Sequence, residues 1–239
     1  MTIKPIIPTI CESWDLTLPE LPPRSRLYCL EPIGLGTPMV ESLTGYLARL
    51  AEAHGVTLWT LYRHEIAPSL DRARFGSLCL TGSTGYQPHT INGTGALALD
   101  FSSVLESLTR RRELSHLTLL TWAAVLPRRM LLRRIRAWCP DCLNSWRAVD
   151  EPIYEPLLWT LQSVNVCPRH RRLLSLVCPS CQFQNEPMDF RLQPGHCSRC
   201  LQWLAPENTS EGEFTCTEWQ LWVVNKVWRI TGGQFKNLI

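Results

Sequence analysis

Lysine is nearly missing from this chain of 239 residues: three of the 24 basic residues are lysines, and the other 21 are arginines. Arginine binds phosphate and carboxylate through paired hydrogen bonds and suits interfaces better than lysine does. Between residues 104 and 172, twelve arginines stand against six acidic residues, although the net charge of the chain is only +3. The middle of the chain therefore favours a surface that meets phosphate or an acidic partner.

Long apolar runs are also missing. The longest candidate, Leu117 to Leu126, includes Thr121 and is shorter than the ~20 residues that cross a bilayer. The first residues, Met1 to Pro5, show no apolar core of a secretory signal peptide. We therefore expect a cytoplasmic protein that does not contact the membrane and keeps its cysteines reduced.

Cysteine, in contrast, is abundant, with eleven residues. Seven cysteines and one histidine form four knuckles of the type Cys-x-x-Cys or Cys-x-x-His. A gap of two residues lets both side chains of a knuckle reach one ion, and four knuckles in series predict two structural zinc ions. The predicted ligands are Cys139 with Cys142, Cys167 with His170, Cys178 with Cys181, and Cys197 with Cys200.

The knuckles allow two pairings. Sequential pairing joins the first two knuckles in one site and the last two in the other, whereas interleaved pairing would cross-brace the sites. We prefer sequential pairing because only seven residues separate His170 from Cys178. His196, next to Cys197, is an alternative ligand to that cysteine.

Patterns of a catalytic zinc enzyme are absent from the sequence. Neither His-Glu-x-x-His nor His-x-Glu followed by Cys-x-x-Cys occurs. A catalytic zinc usually has three protein ligands and an open position, whereas eight ligands fill two sites completely. We therefore expect structural metal sites in a protein that is not an enzyme.

The first 36 residues are predicted to form an extended arm because six prolines exclude a regular helix. The arm nevertheless carries apolar side chains, among them Ile6, Ile7 and Trp14. It either packs against its own domain or lies in a groove of a partner, as segments that order on binding do.

Residues 37–137 are predicted to form a helical domain. Thr37 and Pro38 indicate a helix start, and Gly55 indicates its end. Thr57 is expected to cap a second helix that reaches Ile66, which gives a helix-turn-helix pattern. Further helices are predicted from Ala96 to Leu108 and from Leu117 to Leu126.

Residues 138–205 are predicted to form a tandem zinc-finger module, in which residues 161–166 alternate like a short strand. Residues 206–239 are expected to form a linker and a C-terminal helix that begins at Thr217 or Thr215 and carries Trp219, Trp222 and Trp228. The predicted fold class is mainly α, with small β elements of the zinc-ribbon type.

Basic residues on and near the predicted helices are candidates for contact with nucleic acid or a partner. The alternative is that they form an ordinary solvated face. The candidates are Arg63, Arg110, Arg111, Arg112, Arg128, Arg129, Arg133, Arg134 and Arg136.

Two parts of the chain together resemble the TniQ family of transposition proteins. The resemblance covers about residues 30–67 and 138–200, and it includes a Trp-x-Leu sequence that leads into the second knuckle. It rests on Leu30-Glu-Pro-Ile-Gly, on Glu41-Ser-Leu-Thr-x-Tyr46-Leu-x-Arg49-Leu-Ala51, on Cys139-Pro-Asp-Cys142-Leu143, on Trp159-x-Leu161-x-x-Val164-x-Val166-Cys167-Pro168-x-His170, and on Leu174-x-x-x-Cys178-Pro179-x-Cys181.

The resemblance implies a bacterial adaptor without catalytic activity. Such an adaptor binds a target selector, for example an RNA-guided CRISPR effector, and recruits the AAA+ ATPase TnsC. It also implies contacts to DNA or guide RNA through basic surface. Larger family members carry further C-terminal DNA-binding domains, whereas this chain ends 39 residues after Cys200. We therefore expect dependence on another specificity factor, and the alternative is a sequence-specific DNA-binding protein with zinc and helix-turn-helix elements.

Overall fold

A computed structural model describes residues 24–70, 87–126, 130–206, 218–222 and 226. The predicted partner-binding residues Ile6, Ile7 and Trp14 lie outside these residues, and so do Arg128 and Arg129. The described part of the chain is mainly helical, and its β pairing is limited to isolated bridges. None of its helices is long and apolar enough to cross a membrane.

The first helix, α1, runs from Leu43 to Ala53 and begins five residues later than predicted from Thr37 and Pro38. Its cap is Ser42, whose hydroxyl accepts a hydrogen bond from the Gly45 N–H. The Ser42 N–H donates to the Glu155 carbonyl at 2.8 Å, so the chain is still extended at the position where the prediction placed a helical turn. The predicted end is confirmed, because Gly55 follows with φ +65°.

The second helix, α2, covers only Leu58–Leu61 and is capped, as predicted, by the Thr57 side chain. The chain then widens into a π-helical turn, Tyr62–Ile66, followed by a 3-10 turn, Ala67–Ser69. Pro68 explains the end of the regular helix, since its nitrogen has no hydrogen to donate and its ring clashes with the preceding turn. The predicted second helix is therefore one α-helical turn with an irregular continuation.

The third helix, α3, runs from Ala96 to Thr109 and confirms the prediction from apolar periodicity. It ends at Arg110, which adopts a left-handed conformation with φ 60°. A 3-10 turn precedes α3 at Pro88–Asn92.

The predicted helix from Leu117 to Leu126 is wrong. Two separate 3-10 turns, Leu114–Leu117 and Leu120–Trp122, occupy this stretch. The Leu119 N–H donates to the Asn92 carbonyl at 3.0 Å rather than to a helical partner. This bond to a residue outside the segment separates the two turns and interrupts the predicted helix.

The fourth helix, α4, spans Pro140–Ala148 and was not predicted. Its first residue is a proline, which is well tolerated there because that position needs no N–H donor. The short strand predicted near Val166 is replaced by isolated bridges, which pair Leu132 with Leu161 and Val166 with Leu173. A 3-10 turn, Leu157–Thr160, precedes them.

Two apolar cores organise the described residues. The helical core lies between α1, α2 and α3, and the tryptophan core surrounds α4 with Trp138, Trp146 and Trp159. Each core also contains side chains from the other predicted domain. Met188 and Leu192 pack in the helical core, whereas Met39, Val40, Leu119 and Trp122 pack in the tryptophan core.

Candidate metal centres

The first metal-binding group consists of Cys139, Cys142, Cys167 and His170. Cys139 immediately precedes α4 and Cys142 lies in its first turn, while the other two residues belong to a turn after the Val166 bridge. The four ligand atoms lie within 4.8 Å of one another. The His170 Nδ1 atom is 3.5, 3.3 and 3.7 Å from the three sulfurs, so Nδ1 is the nitrogen available to an ion.

The second group consists of Cys178, Cys181, Cys197 and Cys200, again with all ligand atoms within 4.8 Å of one another. The Cys178 and Cys200 sulfurs are 3.6 Å apart, and those of Cys181 and Cys197 are 3.7 Å apart. The residues are therefore grouped in the sequential arrangement.

These distances match the edges of a zinc-centred tetrahedron. With Zn–S distances of about 2.3 Å, neighbouring sulfurs of a tetrahedral site lie about 3.8 Å apart. A disulfide would instead bring its two sulfurs to about 2.05 Å. The eight cysteines that the structure describes are all free thiols, so both groups could hold a metal ion.

Three of the four knuckles share one backbone geometry. The first cysteine donates its N–H to the carbonyl five residues later and accepts from the N–H four residues later, at 2.8–3.0 Å. The residue four positions after the cysteine is left-handed, with φ 53° at Arg171, 58° at Gln182 and 59° at Leu201. None of these positions is a glycine, so the sequence alone gave no signal for the turn.

The first knuckle is built differently, as the start of α4. The Leu143 N–H donates to the Cys139 carbonyl at 3.2 Å, and the helix then continues to Ala148. This helix carries two side chains that support the groups from outside. Asp141 pairs with Arg172 at 2.7 Å, and Asn144 accepts a 3.0 Å hydrogen bond from the Trp203 Nε1–H. Sequence reasoning missed both, although Asp141 lies within the first knuckle itself.

The surroundings of the two groups differ. The three cysteines of the first group are fully buried in the tryptophan core, next to Trp146. In the second group Cys178 and Cys197 are fully buried, but Cys181 and Cys200 are partly exposed. His196 lies outside both groups, since its Nδ1 is 2.9 Å from the Pro194 carbonyl and its ring meets Trp203 edge-on.

The predicted contact residue Arg136 is buried, which corrects its assignment to the surface. Its side chain forms an ion pair with Glu155 and donates to the His196 carbonyl at 3.1 Å. The pairing could not be seen in the sequence because Glu155 lies 19 residues away. Arg136 therefore connects the segment before α4 to the second metal-binding group.

The other described arginines that were predicted to contact nucleic acid or a partner differ in exposure and in pairing. Arg110, Arg112 and Arg134 are exposed, while Arg111 pairs with Glu113. Arg63 is exposed and lies over the Trp59 ring, with 5.9 Å between the guanidinium carbon and the ring centre. Arg133 is half-buried and donates to the Val164 carbonyl and to the Asn165 side chain.

A second buried ion pair lies where the two cores meet. Arg49 on α1 donates to the Glu41 carboxylate at 2.6 Å, and the Glu41 side chain is fully buried. Burial raises the pKa of Glu41 to about 7, although Arg49 opposes this shift. The Glu41 backbone also forms an isolated bridge with Pro156, so this acid joins α1 to the segment that leads to the first metal-binding group.

Comparison with protein-family models matches residues 32–174 to the family described as TniQ. The matched region contains α1 to α4 and the complete first metal-binding group. No curated protein matches the chain.

Proposed function

Because the match covers more than half of the chain, this protein belongs to the TniQ family of transposition proteins, and we propose that it is a non-catalytic adaptor. In this proposal it links a target selector, such as an RNA-guided CRISPR effector, to a AAA+ ATPase of the TnsC type. Two structural zinc ions, held by the two metal-binding groups, keep its binding surfaces in place. DNA or guide RNA contacts its basic surface.

The donor sets fit structural zinc. Each group offers four sulfur or imidazole ligands at tetrahedral spacing, and structural zinc is almost always bound in this way. When bound, zinc would hold each cysteine as a thiolate and tie together segments that are distant in sequence. Cys139, Cys142, Cys167 and His170 would bind one ion, and Cys178, Cys181, Cys197 and Cys200 the other.

The observation that carries the proposal is the completeness of both groups. A catalytic zinc keeps one position open for water or substrate, whereas four protein ligands at each group leave no such position. The first group is, in addition, enclosed by the tryptophan core. A structure of this kind favours function through its surfaces rather than through a reactive pocket.

A pull-down tests the adaptor role. The protein, shown by metal analysis to carry two zinc ions, is immobilised and incubated with a AAA+ ATPase of the TnsC type from the same organism. The incubation is repeated with and without nucleotide and DNA, and an unrelated AAA+ ATPase serves as the control. We expect selective capture of the TnsC-type ATPase. Equal capture of both ATPases, or of neither, would contradict the proposal.

A gel shift separates the adaptor from a sequence-specific DNA reader. In a site reader, each wrong base pair costs ~1–3 kcal/mol, so one duplex should be strongly preferred. The only regular part of the second helix is the single turn Leu58–Leu61, where Trp59 packs edge-on against Phe190. We therefore expect weak, salt-dependent binding to duplexes without a preferred sequence. A strong preference for one sequence would favour the DNA reader.

A further inference from the structure

A cleft of about 860 Å³ lies between the segment that leads into α3 and the segment before the first knuckle, and none of the predicted metal ligands lines it. One wall is formed by residues 87–95, which lead into α3, and the other by Met130–Ile135. Gln162 closes one side. The second wall is the described part of the arginine-rich segment that precedes the first knuckle.

The charge of the described cleft lining has one sign. Arg133 and Arg134 contribute two guanidinium groups, and the described lining contains neither aspartate nor glutamate. Neither arginine forms an ion pair with a described residue. Burial lowers the pKa of Arg133, and its guanidinium already donates to the Val164 carbonyl and the Asn165 side chain, so Arg133 contributes positive charge that no acid neutralises rather than a free set of donors. A cleft of this kind attracts anions.

The N-terminus of α3 adds to this attraction. The cap residue is Gly95, which has no side chain to accept hydrogen bonds from the first turn, and that turn contains no acidic residue. Gly95 itself lines the cleft. Free N–H groups and the helix dipole at such an end favour a negatively charged ligand, and phosphate is a common one. The helix is 14 residues long, enough for a full dipole.

The wall that carries the two arginines is otherwise apolar, whereas the opposite wall is mostly polar. Met130 is 81% exposed, and Leu131, Leu132 and Ile135 continue the same wall. A phosphate alone would gain nothing from these side chains, whereas the bases of an unpaired strand can pack against them. Single-stranded nucleic acid is typically bound by a groove that combines basic groups for the backbone with aromatic side chains on which the bases stack. In this cleft the aliphatic side chains of Met130 and its neighbours take the place of the aromatic ones. A duplex, whose bases are paired and enclosed, would not use the apolar wall.

We propose that this cleft binds a single strand of nucleic acid. Its phosphates lie between Arg133, Arg134 and the N-terminus of α3, and its bases pack on the wall that contains Met130. The inference deepens the proposed function and rests on it only for the source of the strand. Guide RNA and an exposed DNA strand offer the same backbone chemistry, so the experiment includes both.

The sharpest test replaces the cap of α3. An added side chain at Gly95 meets no atom within 4 Å, and the backbone there is extended, so Gly95→Asp and Gly95→Asn both fit. Both residues are good helix caps and should keep or raise thermal stability. Only Asp places a negative charge at the cleft. We expect Gly95→Asp to weaken binding of a fluorescent 20-nucleotide RNA about tenfold by anisotropy and Gly95→Asn to weaken it less, because either side chain occupies the free N–H groups of the first turn but only Asp adds a negative charge.

A second pair of variants controls for net charge. Arg134→Glu and Arg191→Glu change the charge of the protein equally, but Arg191 is an exposed residue outside the cleft. We expect Arg134→Glu to weaken RNA binding and to lower the slope of log affinity against log salt by about 0.7, the value for one phosphate contact on a single strand. Arg191→Glu should leave that slope unchanged. Equal losses in both variants would overturn the proposal.

Competitors identify the ligand class. Single-stranded RNA and DNA of the same sequence are compared with their duplex and with polyglutamate of equal charge. Displacement by either single strand supports the proposal, and the stronger of the two indicates the source. Equal or better displacement by the duplex or by polyglutamate would overturn it, as would unchanged binding in Gly95→Asp. ATPase capture is measured separately without nucleic acid, so its failure would contradict the adaptor role and leave the cleft result standing.

Discussion

The helical core takes its side chains mainly from α1, α2 and α3, whereas the tryptophan core surrounds one short helix, α4, and a chain of turns and isolated bridges. In the helical core, backbone hydrogen bonds are satisfied within helices and the apolar face of each helix supplies the packing. In the tryptophan core, many backbone groups are paired inside knuckles, and three knuckles repeat the same two hydrogen bonds.

This contrast shows two ways of ordering a chain. Amphipathic helices need only apolar burial, so their positions follow from local periodicity. Knuckles have too few hydrogen bonds to hold their shape alone, and their cysteines come together only if an ion compensates for the lost freedom of the chain. We therefore expect the two cores to respond differently to metal loss and to loss of apolar volume.

The largest predicted effect is the loss of a ligand from the first metal-binding group. Cys142→Ser should reduce the zinc content from two ions to one and lower the free energy of unfolding by about 4 kcal/mol or more, as expected for a lost metal site. The reason is that Cys142 is fully buried at the start of α4 within the tryptophan core. Metal analysis and urea unfolding measure both quantities.

Two control variants sharpen this result. Leu47 is fully buried in the helical core, so Leu47→Ala should leave a cavity and lower the free energy of unfolding by about 2–5 kcal/mol. The variant should keep both zinc ions. Cys29→Ser changes an exposed cysteine outside both groups and should change neither quantity. If Cys142→Ser retained two zinc ions, the assignment of this ligand would be wrong.

The next largest predicted effect is a difference in stability between substitutions of Arg136 and Arg134, which lie two residues apart. Arg136 is buried with its partner Glu155, and breaking a buried pair usually costs about 3–5 kcal/mol. We therefore expect Arg136→Ala to destabilise the protein strongly in urea unfolding. Arg134→Ala, at an exposed site, should change stability by no more than about 0.5 kcal/mol. Similar losses in the two variants would show that the arginine-rich segment acts as one structural unit.

These arginines also show what the sequence could predict. Helix α3 was found because its apolar pattern and its ends lie within one short stretch. Arg136 is buried in a pair with Glu155, and no local sequence pattern connects the two residues. The apolar pattern from Leu117 to Leu126 predicted a helix wrongly for a related reason. Leu117 packs in the helical core and Leu119 in the tryptophan core, so the apolar residues face two directions that no single helix could serve.

The candidate metal-binding groups were easier to predict than the turns that build them. Ligand spacing is a local property, and the structure brings the eight spaced side chains into two groups. The start of α1 depended instead on a distant bond, in which the Ser42 N–H donates to the Glu155 carbonyl. The left-handed residues of the knuckles carry no glycine signal, because hydrogen bonds within each knuckle turn, rather than the residue type, hold their conformation. The metal ligands could thus be predicted from the sequence, whereas the backbone conformation between them could not.

A smaller effect tests the ion pair where the two cores meet. Burial raises the folded-state pKa of Glu41 to about 7 from an ordinary value of 4.5. The folded protein therefore holds a proton that the unfolded chain has lost, and its stability falls as the pH rises through this window. Relative to Glu41→Gln, the free energy of unfolding of the unchanged protein should fall by about 2 kcal/mol between pH 5.5 and 7, since the slope is at most about 1.4 kcal/mol per pH unit.

Urea unfolding of both proteins across this pH range measures the difference. Zinc loss at low pH has the opposite sign, but it is shared by both proteins and cancels. Glu52→Gln, at an exposed position of α1, is the matched control: it keeps Glu41, so its stability should fall with pH as that of the unchanged protein does. A pH-independent difference between Glu41→Gln and the unchanged protein would mean that Arg49 keeps the Glu41 carboxylate ionised.

The smallest effect concerns the repeated knuckle geometry. Gln182 is exposed and left-handed, with φ 58°, a conformation that costs an ordinary residue about 1 kcal/mol and costs glycine nothing. Gln182→Gly should therefore stabilise the protein by up to about 1 kcal/mol, less the entropy that glycine adds to the unfolded chain and less the exposed 3.3 Å hydrogen bond that the Gln182 side chain donates to the Pro179 carbonyl. Gln184→Gly, two residues later at an exposed position without a positive φ, should destabilise it slightly. Thermal unfolding of the zinc-loaded proteins measures both shifts. Because the two variants have the same composition, opposite signs can arise only from the backbone conformation of the knuckle, and equal signs would show that the turn is not strained.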